Sequence, residues 1–512
     1  MNHPDNSKAQ NSSGIKHALK VSVPDSWKIV PLKEVLEQII GGGTPSRKNP
    51  SYWHGSIPWL TVKDMRTRRP KDSIDHITEQ AVENSSTNII PANTVIIATR
   101  IGLGKVVRVP FDSAINQDLK ALVAKPIVDK SYLEYWIYSI ANYLESIGSG
   151  TTVKGIRLEQ VRSLPFPLAP LNQQKRIVAE IEKQFSRLDE AVANLKRVKA
   201  NLKRYKAAVL KAAVEGKLTE EWRKAHPDVE PASKLLDRIL AERRAKWEEA
   251  ELAKMETKGK TPKNDKWKAR YKEPKAFGTV IALSDLPETW QWVGVDQIGT
   301  SGEQAVLTGP FGSNLGKADF TTEGVPVLTI GCLQETGVML DKAMYIHADK
   351  AEELGRYRLK EGDLLFSRMA SVGRAGYVER QLDNALFNYH IMRLRLSKNA
   401  IEPSYFISYV RGSSKVRDYV REVNHGATRD GINTKQLMEM PVALPPLEEQ
   451  QQILTLVDEK ISIIYEIEKQ VNENMARADC LRQSILQNAF SGALHSSPNS
   501  NIEVLSSITV AS

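Results

Sequence analysis

Three short stretches of this sequence carry residue types able to do chemistry. "GSNLGKAD" brings Gly312, Gly316 and Lys317 together in the manner of a phosphate-cradling loop. Its glycine spacing is too short, and Ala318 follows the lysine where a hydroxyl would hold magnesium. "GLGKVV", from Gly102, lacks the third glycine of a dinucleotide-binding turn. Asp112, Asp118 and Lys120 form an acid and an acid-x-lysine pair, a set that in a nuclease would hold a metal ion. The nine histidines are scattered, with no HExxH and no Cys/His cluster. There is no Asn-Pro-Pro-aromatic stretch of the kind used on a flipped base. Cys332 and Cys480 are the only cysteines, too far apart for a metal spacing, and they fit a reducing cytoplasm.

What remains is non-covalent recognition. The net charge is +10 and the pI about 9.2, which suits a polyanionic partner. Seven Lys or Arg and no acid lie between Lys196 and Lys211. Eight basic residues against two acids lie between Lys258 and Lys275, with Trp267 and Tyr271 interleaved. No apolar run is long enough to span a bilayer, and the polar start "MNHPDNSKAQNSSGIKHALK" has no secretory h-region.

The elements that would position such residues occur twice. "LAPLNQQKRIVAEI" begins at Leu168 and "LPPLEEQQQILTLV" at Leu444. At the same offset, Gly150–Leu171 aligns with Gly426–Leu447, and "VLKAAVEGKL" (from Val209) with "ILQNAFSGAL" (from Ile485). Upstream the offset drifts, as loop insertions require. "VIIATR" ending at Arg100 matches "LLFSR" ending at Arg368. "INQDLKAL" matches "FNYHIMRL", pairing Asn116 with Asn388, and "PDSWKIV" matches "PETWQWV". This pairing turns Asp112, Asp118 and Lys120 into Asn384, His390 and Met392, which argues against a metal site.

After each repeated start, apolar residues recur every seven positions. One row is Ile181, Leu188, Leu195, Leu202 and Val209; the other is Val457, Ile464, Val471, Ala478 and Ile485. Such heptads predict a coiled coil. Proline precedes each row (Pro170; Pro445 and Pro446), and Gly216 and Gly492 stand where C-terminal caps belong. Each helix would be roughly 65 Å long. The flanking regions mix short β-branched runs ("NTVIIATR", "VVRV", "VPVLTI", "DLLFSR") with helical ones ("SYLEYWIYSIANYLESI", "PSYFISYVRGSSKVRDYV"). The expected fold class is α/β: two α/β domains separated by two long antiparallel helices paired as a coiled coil, an internal duplication with pseudo-two-fold symmetry. The expected order is a polar tail (1–20), a domain (21–170), a long helix (171–218), a charged, partly helical linker (219–284), a second domain (285–446), a second long helix (447–494) and a polar tail (495–512). Within the linker, "PASKLLDRILAERRAKWEEAELAKM" reads as a surface helix of mixed charge.

With these features the chain resembles the specificity subunit of Type I restriction-modification enzymes. "PLNQQKRIVAEIEKQF" and "PPLEEQQQIL" carry the resemblance, with "GGTPSRKNPSYWHGSIPWLTVKDM" in the first domain, "GPFGSNL" and "GVPVLTIGCL" in the second, and "EGKLTEEWR" opening the linker. The resemblance implies two target recognition domains, each binding half of a bipartite site in double-stranded DNA, with the helices setting the spacer and docking two modification subunits. It implies that the chain is not itself an enzyme and holds no cofactor. S-adenosylmethionine, ATP and magnesium would belong to the modification and restriction subunits. The rival readings are a self-sufficient DNA methyltransferase or nuclease with divergent motifs, and a scaffold that does not bind DNA.

If the domains read different sequences, residues shared at matched positions are poor candidates for choosing bases. Arg100 and Arg368 match, and they suit a phosphate contact or an internal ion pair. Unshared polar loop residues suit base reading, since a bidentate arginine recognises guanine in the major groove. In the first domain these are Arg47, Lys48, Lys63, Arg66, Arg68 and Arg69. In the second they are Arg356, Arg358, Arg374, Tyr389, His390 and Arg429. Trp53 and Trp59 read as core residues.

Overall fold

The computed structural model describes residues 23–495, apart from 151, 261, 263, 279, 302–303, 313, 335–336, 370–371 and 425–430. By packing, the chain divides into two compact units. One holds the described residues up to Val198 and those from Gln470 onward; the other is Lys199–Lys469. The division cuts through both long helices, Leu171–Val214 and Leu447–Phe490, each of 44 residues.

In the first unit a four-stranded antiparallel sheet has the order Leu36–Gly41, Leu119–Ala124, Val95–Ala98, Val106–Arg108. Alternate residues of a strand face opposite sides. Val95 and Ile97 therefore enter a core with Tyr132, Trp136 and Phe166, while Ile96 and Ala98 enter another with Leu60, Ile90 and Ile115. Helix Lys130–Ser139 covers the first face, capped by the Asp129 carboxylate. A second, mixed sheet (Asp75–Ile77, Trp53–Leu60, Ser113–Ile115, Ile89–Ile90) covers the other. Trp59 is buried there, edge-on to Trp53 at 5.2 Å.

The second unit repeats the plan. Its antiparallel sheet runs Val306–Thr308, Ile391–Leu394, Leu364–Ser367, Ala375–Tyr377. Leu364 and Phe366 face helix Pro403–Gly412, and Leu365 faces the opposite core. Its mixed sheet contains Phe320–Thr321, Met344–Ile346, Val325–Leu328 and Leu386–Phe387. One parallel pairing recurs: Trp59 opposite Ala114 in one unit, Val327 opposite Leu386 in the other.

Both predicted apolar rows are buried along their length. In the first unit Ile181, Phe185 and Leu188 share a core with Ala478, Ile485 and Leu486, and Arg482 pairs with Asp189. In the second, Lys206 meets the Tyr465 hydroxyl at 3.1 Å while Thr219, just beyond the first helix, meets Glu449 at 2.6 Å. Rising numbers on one helix meet falling numbers on the other, so the pairing is antiparallel. Gly216 (φ 74°) and Gly492 (φ 78°) end the helices in the left-handed conformation. A Cβ on Gly216 would lie 2.5 Å from Pro287, and one on Gly492 2.3 Å from Pro24.

The repeated P-L-x-x-Q has a structural reason. Gln174 is fully buried: its amide nitrogen donates to the carbonyls of Ile127 (3.0 Å) and Ala169 (2.7 Å), and its oxygen accepts the Asp129 N–H (2.8 Å). Gln450, also fully buried, donates to Ala400 (3.1 Å) and Pro445 (3.0 Å) and accepts from Glu402 (2.8 Å). The preceding residue takes an indole N–H in each unit: Trp27 on Gln173 at 2.8 Å, Trp290 on Glu449 at 2.9 Å.

The linker region packs against the second unit. Helix Ala232–Thr257 buries Leu235, Leu236 and Ile239 in that unit's core. Trp267 stacks on Trp247, which also meets Tyr271, and Lys268 and Lys275 pair with Glu248 and Glu439. The aromatic residues of this basic run are therefore engaged in packing. Among the described residues no helix is long and apolar enough to cross a membrane.

Replacing Gln174 or Gln450 by leucine would strand three backbone groups in a buried position. Either variant is expected to lose at least about 2 kcal/mol of stability, read as a lower denaturant midpoint, whereas Gln451→Leu, at an exposed helix position, should change it by less than about 0.5 kcal/mol.

Candidate nucleic-acid interface

Each unit builds one corner from the same backbone. In the first, strand Leu36–Gly41 leaves the sheet through Gly42, where a Cβ would stand 2.1 Å from the Ile115 carbonyl oxygen. In the second, Val306–Thr308 leaves through Gly309, where a Cβ would stand 2.3 Å from that of Asn388. Only glycine permits these approaches. The loop beneath is held identically. The Asn116 N–H donates to Leu60 O at 3.0 Å, and the Asn388 N–H to Leu328 O at 3.1 Å. Each asparagine's side-chain oxygen accepts the N–H two residues on, Asp118 at 3.2 Å and His390 at 3.1 Å. The N–H of Arg100 donates to the Asp118 carbonyl at 3.3 Å, and that of Arg368 to the His390 carbonyl at 2.9 Å. The matched pairs Asn116/Asn388 and Arg100/Arg368 thus occupy equivalent places.

The side chains on this common frame differ. In the first unit Thr44 donates its hydroxyl to the Gln117 amide oxygen, and both residues are exposed. Asp118 lies 3.6 Å from Arg100. In the second unit Phe311 stacks on Tyr389 (centroids 5.9 Å apart), Arg368 stands over the Phe311 ring, and Tyr389 touches the His390 ring. Burial, and then the Arg368 charge, push the His390 pKa below its ordinary value. Its Nδ1 is buried and has no hydrogen-bond partner among the described residues.

Asp112, Asp118 and Lys120 do not converge as a metal site would. Asp112 accepts the Ala92 N–H at 2.7 Å, Asp118 is tied to Asn116 and Arg100, and Lys120 donates to the Gln117 and Leu119 carbonyls. Burial lowers the Lys120 pKa, against the pull of Asp118.

The other candidates fall into two groups. Lys48, Lys63, Arg66, Arg356 and Arg374 are exposed. Arg47 is also exposed, lies over Trp53 and pairs with Asp75 at 2.9 Å. Arg374 lines a cleft of about 710 Å³ with Lys203, Lys206 and Arg411. Arg68 and Arg69 are tied by contacts within the first unit, Arg68 half-buried and Arg69 still exposed. Arg68 sits over Tyr135 (4.7 Å), Tyr138 (5.1 Å) and Phe185 (5.5 Å). Arg69 pairs with Glu134, which is fully buried and also bonds Arg108 at 2.9 Å. Arg358 donates to the Asn384 carbonyl at 3.3 Å. Arg429 lies outside the described residues. Thr44, Gln117 and Phe311 were not singled out by the sequence reading. Gln117 lies in the repeated "INQDLKAL", but Thr44 and Phe311 lie in "GGTPSRKNP" and "GPFGSNL", whose correspondence insertions conceal.

Comparison with known proteins agrees with this architecture. The family described as Type I restriction modification DNA specificity domain matches residues 24–204 and 288–476, one match per repeat. The chain belongs to this family of Type I specificity subunits. It is 25% identical over 488 residues to the Type I restriction enzyme EcoKI specificity subunit of Escherichia coli (strain K12), covering 92% of this chain and 90% of that protein. The StySPI specificity subunit of Salmonella potsdam is 24% identical over 487 residues, with the same coverage. Among solved structures, the fold resembles a chain from a study of "complex assembly and conformational transition of the type I R-M system" (TM-score 0.61, 18% identity, covering 92% of this chain and 100% of that one). It also resembles the HsdS subunit of Thermoanaerobacter tengcongensis (TM-score 0.50, 19% identity, 92% and 98% covered).

Glu134 is a buried charge whose two arginine partners stay in place if it is removed. Glu134→Ala should destabilise the protein by about 3 kcal/mol, measured by chemical denaturation. Arg69→Ala leaves the Arg108 pair intact and should cost less than half as much.

Proposed function

We propose that this chain is the non-catalytic DNA-reading subunit of a Type I complex, with each α/β domain binding one half of a bipartite site in double-stranded DNA. The observation that carries this reading is the doubled corner: one backbone frame, two different sets of exposed side chains. A protein that reads two different short sequences needs that combination of a common scaffold with unlike tips. The exposed cations Arg47, Lys48, Lys63, Arg66, Arg356 and Arg374 supply phosphate or base contacts, and Arg100 and Arg368 contribute positive charge at the corners. Arg68, Arg69 and Arg358 act by shaping the domains. Two modification subunits, bringing S-adenosylmethionine, dock on the two long helices. Restriction subunits bring ATP hydrolysis and magnesium. The chain itself holds no cofactor and works in the cytoplasm.

The direct test is exchange of residues 285–446 for the corresponding domain of another specificity subunit. The methylated-adenine motif of the host, read by single-molecule sequencing, should change in one half only. A motif changed in both halves, or in neither, refutes the modular reading.

Helix length would set the distance between half-sites. Four residues inserted near Leu195 add about 6 Å of rise, so the preferred spacer should grow by roughly one to two base pairs at about 3.4 Å each. The insertion also turns the helix by about 40°, so activity should fall as well. Full activity with an unchanged spacer would show that the helices are not the ruler.

A further inference from the structure

The two corners share the glycine approach, the asparagine turn and the arginine N–H contact described above, and differ in what they display. Gly42 and Gly309, Asn116 and Asn388, Arg100 and Arg368 are framework. Above that framework Thr44–Gln117 stands where Phe311–Tyr389 stands in the other unit. The fold therefore does not require either pair. Phe311 is 54% exposed and belongs to no hydrophobic core among the described residues. An apolar ring held outside a core by stacking is available to a partner. Gln117 has its oxygen oriented by the Thr44 hydroxyl, and no partner for its NH₂ group is seen among the described residues. That leaves one donor side and one acceptor lone pair, the pattern that meets adenine N7 and N6 in the major groove.

We infer that these two tips are the specificity-determining contacts: Thr44–Gln117 reads a base edge by hydrogen bonds, and Phe311–Tyr389 reads one by apolar contact of the kind a thymine methyl offers. The inference rests on the DNA-reading function proposed above. It goes beyond that function by naming the pairs and assigning a different chemistry to each half-site. The cationic Arg100 and Arg368 beneath the tips are common to both domains, and so supply attraction without choice.

The test uses the full chain co-expressed with its cognate modification subunits in a host without other adenine methylation. Gln117→Leu should reduce methylation of the cognate motif about tenfold, or broaden one position, in the half-site of the first domain only. Phe311→Ala combined with Tyr389→Ala should do the same in the other half-site only. Unchanged motif and efficiency, in complexes of normal size and melting temperature, would overturn the inference, as would a single pair altering both halves. If a variant complex assembles but methylates nothing, its binding to duplexes carrying each single-base change decides. Flattened discrimination at one position supports the inference, and undiminished discrimination at every position overturns it. The exchange of residues 285–446 separates the two levels: if it shifts one half-site while the corner variants shift none, only the corner assignment falls.

Discussion

One buried primary amide per unit fixes where each long helix leaves its domain. Gln174 and Gln450 hold three backbone groups each, and all three lie at the junction of domain and helix. A leucine of the same size would fill the space but satisfy none of them. The neighbouring Gln173 and Glu449 add an indole hydrogen bond to Trp27 or Trp290, near the first strand of each domain. The direction of the helix is thereby tied to the first and last strands of its domain, which pair with each other as Lys28–Pro31 with Pro165–Leu168 and Gln291–Gly294 with Pro441–Leu444. Everything that depends on helix direction, including the antiparallel seam, depends on those amides.

A rigid frame lets unlike tips be compared position by position. The glycine approaches at Gly42 and Gly309 and the asparagine turns beneath them leave little freedom in the loop backbone. On that shared frame the corners differ chiefly in side chains, although Gly43 donates its N–H to the Ile115 carbonyl where Pro310 has none to give. One unit carries a hydroxyl and an amide where the other carries two stacked rings, and an arginine stands at the matching place in both. The basic run between Lys258 and Lys275 behaves otherwise, since its rings pack on Trp247 and two of its lysines, Lys268 and Lys275, pair with acids of the same unit.

The regular parts were legible because they repeat with a period. The heptads, the cap glycines Gly216 and Gly492, and the strands around Val95 and Leu364 stand where spacing placed them. The pairing of Asn116 with Asn388 survived loop insertions because strands on both sides anchor it. The match of Thr44 with Phe311 did not, since only the backbone contact of the preceding glycine reveals it. Local sequence does not show that Glu134 and Tyr135 approach Arg69 and Arg68 from a distant helix; Arg68 is half-buried there while Arg69 stays exposed. The helix Ala232–Thr257 read as a surface helix because the residues its first turns bury in the core, Ala232, Leu235, Leu236 and Ile239, are few beside its charges.

The glycines that end the long helices have a wider meaning. Gly216 closes the first helix against Pro287, at the threshold of the second domain, and Gly492 closes the second against Pro24, at the threshold of the first. Each helix end therefore meets the entry of a domain within its own compact unit. A side chain larger than a hydrogen at either glycine would press on the proline that opens the neighbouring domain, so in each unit the end of a helix and the entry of a domain are set by one contact.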